Sequence, residues 1–318
     1  MNRLCELLSC KIPIIQAPTG SIAGVDLASA VAKAGGVGGL GLTWTSSDQV
    51  ADMVRAVKPS GAFIVNYALA FEPKTLVIAL ECGAPIVTFS WGQPGEMVEL
   101  CHTFGALVGV QVSSVLGAKI AIESGADFII AQGIEAGGHV QSTTALDSLV
   151  NDILCLVDAQ IPLIATGGIT TSEDIKRIMD RGAQGVMLGT RYVATTQSLA
   201  HAAYKTALVE ATIGCTAITT CFDGGWPRAA HRTLRNETTM AWEAAGCPST
   251  DRPGEGDIIA NSSVGEPILR YEDTAPRIGM TGNVEAMALY AGEGVSKIDE
   301  IPDAGELTKD LWRRVISM

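Results

Sequence analysis

A repeating alternation of short β-branched runs with helical segments most constrains the fold of this 318-residue chain. Apolar residues between the runs fall at helical spacing, and Gly-Ala steps at Gly83, Gly125 and Gly182 come just before the next run. Glycine commonly closes a helix because it adopts left-handed backbone easily. The runs predict eight strands, at residues 13–17, 37–42, 62–66, 85–89, 106–112, 127–131, 162–165 and 185–188.

Eight parallel strands that each lead into a helix can form an open sheet or a closed barrel. Eight is the number that closes a barrel, so we predict an α/β fold of the (β/α)8, or TIM barrel, type. We assign the barrel to residues 1–210, with its last helix near 197–210. Residues 211–318 lose the alternation and are rich in Gly, Pro, Asn and charge. They predict an appendage over the barrel mouth that contributes to the same active site, with helices at 237–245 and 284–290.

Charge and composition argue against several classes of partner. The formal net charge is −12 and the sequence pI is about 4.8, so nucleic acid and anionic membranes are unfavourable partners. We expect a cytoplasmic protein, because no apolar stretch has the form of a secretory signal or the length of a membrane span. The eight cysteines lack metal-like spacing, which predicts free thiols and no metal site. Aromatic residues make up only 5% of the chain against 35 glycines, which favours a ligand held by backbone groups over one stacked on aromatic rings.

The carboxyl ends of the strands are where a barrel of this type holds its chemistry. Gly167 and Gly168 follow the seventh predicted strand, and Gly189 and Thr190 follow the eighth. In this fold these two loops commonly bind a phosphate through backbone N–H groups, with help from the start of a helix. The alternative is that both are ordinary tight turns.

The loop after the sixth strand carries three glycines and ends at His139. Histidine suits proton transfer near neutral pH, so we predict a catalytic role for His139 and a rise of activity through the usual pKa range of histidine. A purely structural histidine is the alternative. Asn66 and Gln111 end the third and fifth strands, and each is an uncharged amide that either binds the polar edge of a heterocycle or caps a loop.

Five motifs carry a resemblance to a known family: PIIQAPTGSIAG, IVNYALAF, AQGIEAGGHV, IATGGIT with GVMLGTRY, and GNVEAMALYAGEGV. In this order, and through essentially the whole chain, they resemble the nitronate monooxygenase family, formerly called 2-nitropropane dioxygenases. A related enzyme, the flavin-dependent enoyl-acyl-carrier-protein reductase, shares nearly all of them. The resemblance implies an FMN-dependent oxidation of nitroalkanes or nitronates by O2, which yields a carbonyl product and nitrite.

The resemblance and the loops described above together assign an FMN site with His139 as the catalytic residue. Its members are Ala17, Pro18, Asn66, Gln111, Gln132, Gly137, Gly138, Gly167, Gly168, Met187, Leu188, Gly189, Thr190, Tyr290 and Gly292. The chain departs from the family pattern at Thr19, where Met is usual, and at Met187 and Glu293, where Gln is common. These departures change the polarity expected around the flavin and leave turnover of nitronates open.

Two other activities remain open on the same scaffold. One is an NAD(P)H-dependent reductase of an enoyl thioester or a quinone, and the other is a catalytically idle flavin-binding protein. Partners are then a small-molecule substrate, O2 and in the first case NAD(P)H, and a homodimer also stays open. Either Arg191 or a backbone N–H is expected to stabilise a substrate anion.

A basic cluster is expected in the appendage, where Arg228, His231, Arg232 and Arg235 lie close in sequence. A solvated surface, or a salt-bridge site for the acidic barrel, is one interpretation. The other is an anchor for an anionic substrate tail or for a neighbouring subunit.

Overall fold

Eight parallel strands form a closed barrel in the computed structural model, which describes residues 2–156 and 161–318. They hydrogen-bond in the order β1-β9-β8-β6-β5-β4-β3-β2, and the amide of Gln16 donates to the carbonyl of Val37 at 2.9 Å, which joins the first strand to the second. Every predicted strand is present, so the barrel prediction is confirmed. The barrel strands are β1 (Ile14–Gln16), β2 (Gly38–Gly41), β3 (Phe63–Ala68), β4 (Ile86–Ser90), β5 (Leu107–Val112), β6 (Phe128–Gln132), β8 (Leu163–Thr166) and β9 (Gly185–Leu188), whereas β7 (Gly138–His139) belongs to another sheet.

Side chains along each barrel strand alternate between the barrel interior and the layer beneath the helices, because successive residues of a strand point to opposite faces. In β6, Phe128 and Ile130 pack in the interior cluster, and Ile129 and Ala131 pack with the helices. The next inward residue is Gln132, which lines a cavity at the carboxyl end of the strand. Apolar packing fills the interior below that level, so the open space lies at the carboxyl ends.

Helices follow the barrel strands as predicted. Thr171 and Asp174 cap the helix after β8 with the reciprocal hydrogen bonds of a capping box. A short helix at the N-terminus adds Leu4 and Leu8 to the interior cluster of the barrel. The helices are α1 (Arg3–Leu8), α2 (Val25–Lys33), α3 (Ser47–Val57), α4 (Leu76–Glu81), α5 (Met97–Thr103), α6 (Val115–Glu123), α7 (Leu146–Leu156), α8 (Ser172–Asp180), α9 (Thr190–Val193), α10 (Ala202–Val209), α11 (Glu237–Ala244) and α12 (Ala304–Ser317).

The C-terminal helix α12, not the helix near 197–210, completes the outer ring of the barrel. Leu307, Leu311 and Val315 pack in the same core cluster as the barrel strands, and α12 lies between α2 and α8. Helix α10 packs instead on the C-terminal segment that includes Leu289 and Val295. The prediction for the last barrel helix was therefore wrong, because nothing local distinguishes an apolar helix on the barrel from one on the appendage.

Two small antiparallel sheets form the appendage. Strands β10 (Thr216–Thr219) and β11 (His231–Leu234) pair with each other, and β11 also pairs with β7 from the barrel loop. Strand β12 (Ile258–Asn261) pairs with β13 (Pro267–Leu269) and β14 (Thr281–Gly282).

Of the two helices predicted for the appendage, α11 is confirmed and the one at 284–290 was wrong. Only Val284–Ala286 forms a single 3-10 turn, and Tyr290 makes an isolated bridge with Thr233. The residues from Ala286 to Leu289 are buried throughout, and such a run has no period that separates helix from extended chain. None of the helices in the described ranges has both the length and the apolar content to cross a lipid bilayer.

Candidate active site

A cavity of about 580 Å³ opens at the carboxyl ends of the barrel strands. Its volume falls within the range of about 300 to 1,000 Å³ that is usual for small-molecule sites. All of the site residues named from the sequence line it except Leu188, which packs in the layer beneath the helices. Leu188 follows the inward-facing Met187, so the alternation along β9 turns its side chain outward. In residues 2–156 and 161–318, no group of His, Cys, Asp and Glu side chains could hold a metal ion.

Unpaired backbone amides are concentrated at the two glycine loops. The N–H groups of Gly168, Gly189 and Thr190 donate no hydrogen bond to any residue that the structure describes. Gly189 is the N-cap of α9, so the amides of Gly189 and Thr190 belong to a helix start, where backbone donors have no partner in the helix itself, whereas Gly168 lies in the loop after β8. Gly168 has φ +67°, a left-handed conformation that glycine adopts without strain. The loops therefore offer donors to an anionic group.

Neutral amide side chains line the same cavity. Asn66 donates from Nδ2 to the carbonyl oxygen of Thr88 at 3.1 Å, and Gln111 lines the wall from the end of β5. Gln132 accepts a hydrogen bond from the amide of Gln141 at 3.1 Å and donates to the carbonyl of His139 at 3.2 Å. Gln132 thus fixes the loop that carries His139.

The loop before His139 packs tightly against the C-terminal segment. A Cβ at Gly137 would lie 2.4 Å from the backbone nitrogen of Gly292, closer than real Cβ atoms approach. Strand β7 then pairs with β11, where His139 stands opposite His231. The backbone of His139 is therefore held on one side by the barrel and on the other by the appendage.

The imidazole of His139 lies among aromatic rings. It stacks on Trp226 with ring centroids 4.4 Å apart and an interplanar angle of 29°, and its centroid is 5.5 Å from that of His231. Its Nε2 atom is buried without a hydrogen-bond partner among the described residues. Burial, with a smaller contribution from His231, lowers the pKa of His139 from 6.5 to about 3. The ring is therefore neutral at physiological pH.

His231 is a structural histidine by contrast. It is fully buried, its Nδ1 lies 2.9 Å from the carbonyl oxygen of Ala229, and its Nε2 accepts the amide N–H of Phe222 at 3.3 Å. With Nδ1 donating and Nε2 accepting, the ring is neutral, and burial lowers its pKa. Both nitrogens of His231 have partners, whereas Nε2 of His139 has none within the described part of the chain.

The predicted basic cluster does not form. Arg232 is buried, donates to the carbonyl of Ile134 at 2.9 Å and pairs with Glu293 at 2.8 Å. Arg228 and Arg235 are exposed, while His231 is buried, so the four residues share no common surface. The ion pair with Arg232 also offsets the charge of Glu293, one of the three residues that depart from the family pattern.

Arg191 is also placed differently from what was expected. It is buried, it donates to the carbonyl oxygens of Ala194 and Glu300, and it is absent from the cavity wall. The suggestion that Arg191 stabilises a substrate anion was wrong. Backbone N–H groups remain as the candidates.

Aromatic side chains were missed by the sequence reasoning. Trp44, Trp91 and Trp226 line the cavity although aromatic residues are scarce in the chain. Trp91 directly follows β4, and Trp44 comes three residues after β2. The same rule that singled out the glycine loops, that function lies at the carboxyl ends of strands, would have found both.

Comparison with known proteins identifies the family. The family model described as nitronate monooxygenase matches residues 1–62 and 60–313, which is nearly the whole chain. The chain belongs to the nitronate monooxygenase family. Members of this family are flavin enzymes, and the chain is therefore a flavin oxidoreductase.

Several relatives have similar length and structure. A nitronate monooxygenase of Pseudomonas aeruginosa is 28% identical over 360 aligned positions, which cover 98% of each chain. FabK from Thermotoga maritima superposes with a TM-score of 0.82 at 27% identity, over 100% of this chain and 96% of the other. Nitroalkane oxidase from Streptomyces ansochromogenes superposes with a TM-score of 0.81 at 25% identity, over 98% of each chain.

Proposed function

We propose that this member of the family binds FMN in the cavity and oxidises nitroalkanes or nitronates with O2 to a carbonyl product and nitrite. The observation that carries the proposal is the neutral imidazole of His139, which lines the same cavity as a set of backbone amides that have no partner among the described residues. A neutral base and donors for a phosphate are what the protein itself would contribute to this chemistry. The names of the relatives in Pseudomonas and Streptomyces agree with it.

The residues of the cavity fit FMN. The amides of Gly168, Gly189 and Thr190 would hold its phosphate, as helix starts and glycine loops commonly do. Side-chain amides at Asn66 and Gln111 would meet the polar edge of the ring system. The sequence offers no second glycine-rich phosphate loop, which favours one phosphate over the pyrophosphate of FAD. Bound flavin would supply the electron acceptor and the site of reaction with O2.

The protein's own contribution to the reaction is proton transfer at His139. A neutral imidazole accepts the acidic α-proton of a nitroalkane, and the substrate becomes an anion as the proton leaves. With a pKa of about 3, the buried imidazole of His139 is a weak base before the substrate reacts. The negative charge that develops on the substrate favours the charged imidazolium, so the pKa of His139 rises during the step. Trp226, stacked on the ring, stabilises the imidazolium further through a cation–π contact.

The first test is the identity of the cofactor. We expect the purified protein to be yellow and to release FMN, without covalent attachment, when it is denatured by heat or acid. Chromatography of the released flavin identifies it. Recovery of FAD, or a failure to bind either flavin on reconstitution, would contradict the proposal.

The reaction is tested on the flavin-loaded protein. We expect consumption of O2 and release of nitrite when nitroethane or its nitronate is added aerobically. Anaerobic mixing with NADH and with NADPH is the matched experiment, because rapid bleaching of the flavin by a pyridine nucleotide is required only of a reductase. Rapid bleaching without nitrite formation would replace the proposal with the reductase alternative.

The pH dependence of the reaction should lack the usual signature of histidine. With a pKa lowered to about 3, His139 is already neutral at pH 5, so its neutral fraction does not change between pH 5 and 9. We therefore expect kcat/KM for neutral nitroethane to show no rise with a midpoint near 6.5, contrary to the expectation from sequence alone. Initial rates at saturating O2 across this pH range measure it. A clear rise near 6.5 would show that His139 is solvated in the working enzyme.

A further inference from the structure

An aromatic cluster, which consists of Trp44, Phe71, Trp91 and Trp226, lies at the mouth of the cavity. Ring centroids are 4.6 Å apart for Trp91 and Trp226, 4.9 Å for Phe71 and Trp226, and 5.1 Å for Trp44 and Phe71. The three tryptophans line the cavity, whereas Phe71 packs against two of them without lining it. Trp226 also stacks on His139, so the cluster is continuous with the proposed catalytic residue.

Two members of the cluster are held in unfavourable states. Trp44 is 64% exposed, although its neighbours are apolar rings. Trp91 has φ +58°, a left-handed conformation that is rare for a bulky residue and strains the backbone. Its amide donates to the side-chain oxygen of Gln141, which ties this strained residue to the loop beyond His139. An exposed tryptophan and a strained backbone at the same cavity mouth favour a ligand-binding role for the cluster.

The charges around the cavity restrict that ligand. In the part of the chain that the structure describes, no Lys or Arg side chain lines the cavity, and Asp273 is the one carboxylate in its wall. Burial raises the pKa of Asp273, and the nearby charges of Glu272 and Asp223 raise it further. An anionic group would meet no cationic side chain among the described residues of this wall, and the raised pKa of Asp273 makes its carboxyl group a weak partner for a cationic group. The mouth therefore suits an uncharged ligand.

We propose that the aromatic cluster is a substrate subsite that binds the uncharged aromatic end of the substrate. This inference rests on the proposed function, because the acidic carbon of the same substrate would meet His139. Trp226 lies near both His139 and Trp44, with ring centroids 4.4 Å and 6.2 Å away, so a substrate that meets His139 and the cluster would have its aromatic group a few bonds from the acidic carbon. The substrate class is then a neutral aryl-substituted nitroalkane rather than a short nitroalkane or a thioester with a phosphate-bearing tail.

Binding of unreactive probes tests the subsite without any turnover. The probes are 3-phenylpropionamide, propionamide and 3-(4-carboxyphenyl)propionamide, in all of which a neutral planar carboxamide replaces the nitro group. We expect calorimetry on the flavin-loaded protein to give at least about tenfold tighter binding for 3-phenylpropionamide than for propionamide, since a phenyl group would be buried among rings. A negative charge on the ring should be unfavourable, so 3-(4-carboxyphenyl)propionamide should bind at least about tenfold more weakly than 3-phenylpropionamide.

Substitutions at two tryptophans test whether the aromatic cluster is the part of the cavity that binds the phenyl group. Trp44→Ala should reduce the advantage of the phenyl probe over propionamide by about tenfold, and Trp44→Phe should restore most of it, because a ring is retained. Trp91→Gly removes a second ring of the cluster and also relieves the backbone strain at this position. This variant should therefore fold, and it should lose the tighter binding of the phenyl probe relative to propionamide. Leu116→Ala, which removes an exposed apolar side chain on α6 away from the cavity, is the matched control and should leave the ratio unchanged.

The outcomes separate the subsite from the reaction. Equal binding of the phenyl and short probes, or a phenyl advantage that survives both tryptophan substitutions, would overturn the subsite. If the binding preference holds but no nitro compound is oxidised, the subsite stands and the proposed reaction fails. If the reaction holds, kcat/KM for (2-nitroethyl)benzene should exceed that for nitroethane, and this ratio should fall in Trp44→Ala by the same factor as the binding ratio.

Discussion

Replacement of His139 by alanine is expected to lower turnover of neutral nitroalkanes by about 10²- to 10⁴-fold, the usual loss when a positioned acid or base is removed. Nitronates prepared in advance should lose much less activity. A nitronate has already given up its α-proton, so the substitution removes only what the imidazole contributes to binding and orientation. Steady-state kcat/KM for nitroethane and for its nitronate, measured with flavin content verified in each sample, gives the two ratios.

Controls and opposing outcomes are well defined for this substitution. His102→Ala removes a surface histidine that pairs with Asp127 and lies outside the cavity, and it should leave both activities unchanged. An equal loss for nitroethane and nitronate would make His139 a positioning residue instead of a base. Full activity of His139→Ala with flavin bound would disprove any catalytic role, and its unpaired Nε2 would then need another explanation.

Substitution of Gly189 by valine should weaken flavin binding by about 10²-fold or more while the barrel folds. Gly189 has φ −100°, which any residue adopts, and a Cβ there would lie 3.6 Å from Thr19 and 3.7 Å from Ala17, which are ordinary contacts. The protein itself therefore accepts the side chain, but the added methyl groups would occupy the wall where we propose that the phosphate meets the start of α9. Loss of one or two charge-assisted hydrogen bonds corresponds to a loss of affinity of about 10²-fold or more.

Fluorescence titration with FMN, with circular dichroism on the same samples, measures binding and folding together. Gly117→Ala, at a glycine of helix α6 where a Cβ meets no atom closer than 3.3 Å, is the matched control and should bind FMN like the parent protein. Gly168→Val would be a poorer test of flavin binding. At φ +67° and with its Cβ 2.8 Å from that of Glu135, it would strain the protein itself. Unchanged affinity in Gly189→Val would mean that this loop is an ordinary turn.

The candidate site could be predicted from the sequence where each residue follows directly from a strand. Asn66, Gln111 and Gln132 lie in the carboxyl-terminal halves of their strands, and the period of two along each strand turns them inward. The same period explains why Leu188 faces the helices although its neighbour Met187 faces the cavity. The same reasoning would have identified Trp91, because this residue directly follows β4. The aromatic content of the whole chain does not predict which residues line the cavity. The position of a residue at the mouth matters more than how many of its kind the chain contains.

Contacts between distant segments could not be predicted in this way. His231 appeared to belong to a charged surface but lies buried opposite His139, and Arg232 pairs with Glu293 within the appendage and donates to the carbonyl of Ile134 in the barrel loop. Each of these residues is polar and near other charges in sequence, which ordinarily predicts exposure. Their burial depends on partners that come from another part of the chain.

The sequence by itself determined the barrel and the end of it that carries the site, because strand period, helix caps and closing glycines are local properties of short segments. Only the tertiary structure decided which helix completes the ring, how β7 pairs with β11, and that three tryptophans converge over His139. Those arrangements join residues of the barrel to residues of the appendage that are far away along the chain. Burial of apolar surface between such segments selects one pairing among many, and no local pattern records which one is selected.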